Sequence, residues 1–159
     1  LGHAEDGTRY FDSDVIMMRY ADVLLMMAEC ENGLGGSCAP WINQVRERAY
    51  GDNYSAEVTY TDGDYAANEL AILKERDKEF VAEGKRWFDL VRKALRDGNT
   101  GPMLDILINN KYESNQKAIR SKMTAMDCLF FPILERELHA NPLLKQNPAY
   151  ETEDLFEKN

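Results

Sequence analysis

Two histidines and three cysteines are all that this chain of 159 residues offers a soft metal ion. His3 and His139 stand far apart, outside any ligand spacing, so the pattern argues against zinc. Three thiols are too few, and odd in number, for a disulfide framework. Cys30 and Cys38 either bridge the turn between two helices or serve as a loop thiol and a small buried hydrophobe; Cys128 carries no nucleophile signature around it. Basic residues are also scarce: 19 Lys and Arg against 28 Asp and Glu, a net charge of −9. Phosphate recognition needs the opposite balance, which argues against nucleic acid and against an anionic lipid surface. The longest apolar run around the first helical segment, Val23 to Ala28, is six residues, where a spanning helix needs about 20. Glycine-rich phosphate loops, a serine-centred elbow and the EF-hand order of acids are missing, and no cofactor is expected. The opening Leu1-Gly2-His3-Ala4-Glu5-Asp6 has no initiator Met and no signal pattern, and reads as a piece of something longer.

What is present is helical periodicity. Residues 1–12 read as an irregular lead-in. Asp14 to Cys30 predicts a core helix, apolar around most of its circumference, with Ser13 or Asp14 as N-cap and Arg19 paired with Asp22 three positions on. Gly33, Gly35 and Gly36 stop it. Pro40 opens a second helix with Trp41, Ile42, Val45 and Ala49 as its apolar stripe. The short turn between them predicts an αα-hairpin, in outline one tetratricopeptide-type unit. Residues 51–65 read as a loop. A third helix is expected over Ala66 to Arg96, with a seam of Leu70, Leu73, Asp77, Phe80, Gly84, Trp87, Val91 and Ala94 at steps of three and four. On its exposed faces Glu83 can reach Arg86, and Asp89 can reach Arg92 or Lys93. Met103 to Ile108 suits a turn or two of helix, and residues 109–128 are ambiguous. Leu129 to Ile133 is extended and edge-like, Glu135 to His139 one helical turn, and Asn141-Pro142 and Asn147-Pro148 form a rigid strap. The acidic tail from Glu151 frays. The fold class is mostly α: a helical-hairpin scaffold with irregular loops and an extended C-terminal wrap, in a single domain over 1–159.

Three segments, in order, resemble one family. They are Arg19-Tyr20-Ala21-Asp22-Val23-Leu24-Leu25-Met26-Met27-Ala28-Glu29, then Glu75-Arg76-Asp77-Lys78-Glu79-Phe80 with Glu83-Gly84-Lys85-Arg86-Trp87-Phe88-Asp89-Leu90-Val91-Arg92. The third is Phe131-Pro132-Ile133 followed by Glu137-Leu138, Asn141-Pro142, Leu144 and Gln146-Asn147-Pro148-Ala149-Tyr150. The chain thus resembles the C-terminal portion of the SusD/RagB glycan-binding lipoproteins of Gram-negative outer membranes. It departs from them at Lys78, where a basic pair is usual, at Ala149, where glycine is frequent, and over 51–65, which matches no family motif. The resemblance implies a tetratricopeptide-like scaffold and a non-enzymatic, surface-exposed component of nutrient uptake. Its partners would be an oligosaccharide and a SusC-like TonB-dependent transporter, with the membrane reached only through a lipid anchor on the missing N-terminal part.

None of these motifs is a catalytic constellation. Trp87 and Phe88 read as anchors, and the alternation of Arg76, Arg86 and Arg92 with Glu75, Glu79, Glu83 and Asp89 as a charged lattice that grips a neighbouring helix or the closing tail. Sugars present an apolar CH face and a rim of hydroxyls, which proteins meet with aromatic rings and polar side chains. The loop at 51–65 carries that inventory, so the candidate ligand contacts are Tyr54, Tyr60, Tyr65, Asp62 and Asp64. The competing readings are a helical module that docks a partner protein, expected to show a large apolar patch, and a glycoside hydrolase, which needs two opposed carboxylates. Glu79 and Glu83 lie among arginines that would keep them ionised, which suits neither acid nor base.

Overall fold

Helix α1 begins where one acid turns back on the chain. Among the residues that this computed structural model describes (2–3, 5–10, 14, 16–108 and 113–150), α1 spans Tyr20–Leu34, not 14–30. Arg19 is extended at the cap position, and its backbone N–H donates to Asp22 Oδ2 at 3.3 Å. A helical Arg19 would break that arrangement, and residues 16–19 are not wound. Ser13 lies outside the described residues. Gly35, with φ of +76°, closes the helix in the left-handed conformation that glycine tolerates.

The described chain falls into two compact units, Leu1–Arg86 and Trp87–Asn159. In the first, a short antiparallel pair, β1 (Gly2–His3) and β2 (Arg9–Tyr10), precedes α1. Helix α2 spans Ala39–Tyr50 with Pro40 in its first turn, and α3 spans Tyr65–Glu79. The expected hairpin of α1 and α2 forms, and α3 packs against α1. Leu24, Leu25 and Ala28 of α1 meet Ile42 and Val45 of α2, Ile72 of α3, Cys38 and Phe80 in one core. Ala49 is exposed. Helix α1 is not buried all round: Tyr20, Val23, Met26 and Met27 face outward, because α2 and α3 cover only one side of it.

The long third helix does not exist as one piece. It is broken between Glu79 and Arg86, and α4 spans Arg86–Asp97. The break holds two left-handed residues, Ala82 with φ of +63° and Gly84 with φ of +72°. Phe80, Gly84 and Trp87 keep their steps of four and three across this turn, which is why spacing alone reads as unbroken helix. Asp77 and Leu70 of the expected seam are exposed, while Glu75 and Arg76 are buried.

In the second unit α4 is followed by α5 (Gly101–Ile108), α6 (Glu113–Lys122), a tight turn at Met126–Leu129 and α7 (Glu135–Ala140). Leu90, Ala94, Met103, Leu104 and Leu129 form its core, with Trp87 packed against it. Phe88, expected as a second anchor, is 62% exposed. Asp89 is buried and pairs with Arg92 at 3.1 Å. The strap is fastened by amides. Gln146 accepts from the Ile133 N–H and donates to its carbonyl, both at 2.9 Å, and Asn147 Nδ2 donates to the carbonyls of Asp127 and Phe130. The acidic tail lies outside the described residues.

The turn at 80–85 sets up a test of opposite signs. A side chain with a Cβ is disfavoured in the left-handed region by roughly 1–2 kcal/mol. Ala82→Gly is expected to raise unfolding free energy by up to about 1 kcal/mol, the gain trimmed by glycine's entropy in the unfolded chain. Gly84→Ala is expected to lower it by about 1 kcal/mol or more. Urea denaturation of the two variants checks the pair.

Candidate functional site

Two groups of polar side chains stand out in the first unit, and they do different things. The first gathers charges from both leading motifs around one ring. Arg19 donates from Nε and Nη2 to Glu83 Oε1 at 3.0 and 2.8 Å. It also pairs with Glu79 and donates to the Glu79 carbonyl. Asp22 pairs with Lys85, and with Arg76 at 3.5 Å. The guanidinium carbons of Arg19 and Arg76 and the ammonium of Lys85 lie 4.7, 4.9 and 4.5 Å from the centroid of the Phe80 ring. Asp22 and Arg76 are each only 5% exposed. Arg48 of α2 joins through Glu79 at 2.6 Å. The expected pair of Arg19 with Asp22 is therefore backbone to side chain, and Glu83 meets Arg19 and Lys85 where Arg86 was expected. Arg86 instead pairs with Asp77 and donates to the Leu73 carbonyl.

Electrostatics in this knot follow from the geometry. The Arg19 hydrogen bond holds the Glu83 carboxyl below the usual glutamate value, outweighing burial, with Lys85 adding to it. Burial opposes the charge on Lys85, but Asp22 and Glu83 more than compensate and raise it. Arg19 is raised by Glu83, against burial, and further by Glu79. The Glu83 carboxylate is thereby held ionised.

The second group fixes the loop between α2 and α3. Asn43 of α2 accepts from the Tyr60 N–H at 2.7 Å and donates to its carbonyl at 2.9 Å. Arg46 donates to the Val58 carbonyl at 2.8 Å and pairs with buried Glu75 at 2.9 Å. The Tyr60 hydroxyl donates to Asn68 Oδ1 at 2.7 Å, and the Gly63 N–H donates to the same oxygen at 2.7 Å. Asn68 in turn donates to Asn32, which donates to the Tyr65 carbonyl. Asp62 accepts from the N–H groups of Cys38 and Ala39, each at 3.0 Å, and from Ser37 Oγ. Burial pushes its carboxyl up, but those hydrogen bonds win and lower it. Asp64 caps α3 by accepting from the Ala67 N–H at 2.8 Å. Cys38 is buried and free, its thiol pushed up to about 11 by burial first and by Asp62 second. Cys30 is free and exposed.

The five sequence-predicted contacts thus share one loop with divided roles. Tyr60, Asp62 and Asp64 are engaged in holding it, Tyr54 is half-buried, and the Tyr65 side chain is exposed at the start of α3. Asn32, Asn43 and Asn68, which fix the loop, were not foreseen. The available signal was asparagine inside helical periodicity, where it weakens a helix unless its amide bonds elsewhere. In the second unit a cleft of about 550 Å³ is lined by Trp87, Phe130, Phe131 and Tyr150, with Lys122 on its wall. Among the described residues no cluster of metal-ligating side chains forms, and no described helix is long and apolar enough to cross a membrane.

A hairpin scaffold pinned by buried ion pairs, with an amide-fastened strap, is the class that the fold defines. A model of the SusD family matches residues 2–150, and the chain belongs to that family. It is 32% identical over 146 residues to SusD-like protein P38 of Formosa agariphila, covering 87% of this chain and 25% of the relative. SusD-like protein P25 of the same organism is 33% identical, over 91% of this chain and 26% of the relative. The starch-binding protein SusD of Bacteroides thetaiotaomicron is 27% identical, over 89% of this chain and 22% of the relative. A crystal structure of a SusD superfamily protein from Bacteroides vulgatus aligns with a TM-score of 0.60 at 32% identity, over 91% of this chain and 30% of that one. The chain therefore spans about a quarter of the length of these curated relatives.

The knot yields two expected outcomes. Asp22→Asn removes the carboxylate shared by Arg76 and Lys85, and should lower unfolding free energy by roughly 3 kcal/mol, the scale of a broken buried pair. Arg120→Ala, which breaks an exposed pair with Asp105, should change it by less than about 1 kcal/mol. As for pH, a depressed carboxyl stabilises fully above its unfolded value and loses that share as pH falls through its folded value. Stability should decline on acidification from about pH 4.5 downward, the ordinary value for Glu83. The decline should be shallower in Glu83→Gln, as read from denaturation midpoints across pH.

Proposed function

We propose that this chain is part of a non-enzymatic glycan-binding component of an outer-membrane nutrient-uptake complex. It would sit on the cell surface through a lipid anchor of its parent protein and work beside a SusC-like TonB-dependent transporter. Membership of the SusD family supports this reading, as does the starch-binding name of one relative. The observation that carries it is the commitment of the carboxylates. Asp62 and Asp64 are spent on helix N-termini, and Asp22, Glu75, Glu79 and Glu83 on arginines and lysines. Acids held this way build a frame. They are not poised as the acid and base that glycoside cleavage requires.

Recognition then falls to ring faces and polar rims. In this proposal Tyr54 and Tyr65 meet the sugar, and Tyr60, Asp62 and Asp64 hold the loop that presents them. A loop braced on two helices loses little freedom on binding, which favours affinity. A protein-docking role has one observation in its favour, the exposed Phe130 and Phe131 beside the aromatic cleft of the second unit.

Affinity gel electrophoresis against immobilised polysaccharides tests the reading. The unmodified chain should be retarded by at least one polysaccharide, with no reducing ends released. Tyr54→Ala combined with Tyr65→Ala should weaken retention about tenfold while circular dichroism stays unchanged. Retention that survives the double change moves the site out of the loop, and release of reducing ends contradicts the non-enzymatic reading.

A further inference from the structure

A second surface of the first unit has the makings of a sugar contact, and it lies beside the ion-pair knot. A cleft of about 500 Å³ opens between the start of α1 and one face of α2, inside the roughly 300–1,000 Å³ range of small-ligand sites. Its floor is apolar, formed by Ala21, Leu24 and Val45. Its rim carries Tyr20, 71% exposed, and Gln44, Glu47 and Arg48. The last three stand at i, i+3 and i+4 of α2 and so project from one face.

The rim divides by what each group already does. Arg19, in the wall, is tied to Glu79 and Glu83, and Arg48 to Glu79. Among the described residues the Gln44 amide, the Glu47 carboxylate and the Tyr20 hydroxyl make no side-chain hydrogen bond. The cleft therefore offers one open ring face, one amide that both donates and accepts, and one carboxylate that accepts, above an apolar floor. That is the complement of a pyranose: a CH face for the ring and vicinal hydroxyls for the amide and carboxylate. The two arginines are answered by acids, so Glu47 is the unanswered charge. With a chain charge of −9 it disfavours uronates and sulfated sugars.

The geometry is held from below. Arg19 is gripped by Glu79, the last residue of α3, and by Glu83 in the turn after it, and the first turn of α1 is fixed by Asp22, so Tyr20 stands on a pinned helix start. We infer that the α1–α2 cleft is a contact site for a neutral pyranose unit, stacked on Tyr20 and hydrogen-bonded by Gln44 and Glu47. The inference rests on the glycan-binding reading above and extends it to a surface outside the loop.

The test uses soluble starch and galactomannan as neutral probes, and alginate and polygalacturonate as acidic ones, each in affinity gel electrophoresis with the whole chain. The expected result is retention by a neutral probe, weakened at least fivefold by Tyr20→Ala and by Gln44→Ala combined with Glu47→Ala. Gln44 and Glu47 are exposed, so the α2 double variant keeps the test valid should Tyr20→Ala disturb the start of α1. Full retention in both cleft variants, with loss in Tyr54→Ala plus Tyr65→Ala, overturns the cleft and leaves the glycan-binding reading intact. Retention by the acidic probes alone overturns the neutral-sugar assignment. No retention of the unmodified chain by any probe overturns both.

Discussion

Phe80 is the point on which the first unit turns. Three cations from three stretches of chain, Arg19, Arg76 and Lys85, lie within 5 Å of its ring centroid. Each is answered by an acid from another stretch. Arg19 and Glu79 are 60 residues apart in sequence. A ring quadrupole attracts cations most where water is excluded, by about 2 kcal/mol or more. A buried ion pair adds little net stability over an apolar pair, but a register that separates its partners strands a buried charge and is disfavoured. That is the role this cluster has the geometry to fill: it defines where α1 starts, where α3 ends and how the chain turns after α3.

The turn shows which force wins. Six residues between Glu79 and Arg86 forgo part of a helix, and Ala82 adopts a conformation that disfavours a Cβ. In exchange Glu83 and Lys85 come back to face Arg19 and Asp22. The same logic applies to the loop before α3. Its polar side chains look available in sequence, yet Asp62 closes the start of α2, Asp64 closes the start of α3, and a relay of Asn68 and Asn32 carries the rest. Surfaces left for a ligand are those the framework did not consume: ring faces, and polar groups on the outer side of α2.

Much of this was legible beforehand. The hairpin of α1 and α2, its proline start and glycine stop, and the α5 and α7 segments follow from local signals that tertiary structure did not override. Of the residues that carry the family resemblance, Arg19, Asp22, Glu79, Phe80, Glu83 and Lys85 are shown meeting in one cluster of the first unit. What was not legible came from long-range pairing. The apolar steps through Phe80, Gly84 and Trp87 are satisfied equally by one helix or by two helices and a tight turn, and only the partners of Glu83 and Lys85 decide between them. The bracing roles of Asp62 and Asp64 were not legible because sequence does not reveal which N–H groups lie within reach. The outward face of α1 reads as core because periodicity reports apolarity, not the number of neighbours that arrive to cover it.

A double-mutant cycle between Arg19 and Glu79 probes the knot most directly, since it isolates the pair from each side chain's separate losses. With Arg19→Met, Glu79→Gln and the combined variant measured by urea denaturation, a coupling energy of about 1.5 kcal/mol or more is predicted, within the range for residues sharing one buried network. Additive effects, with coupling near zero, would contradict the claim that this cluster sets the frame.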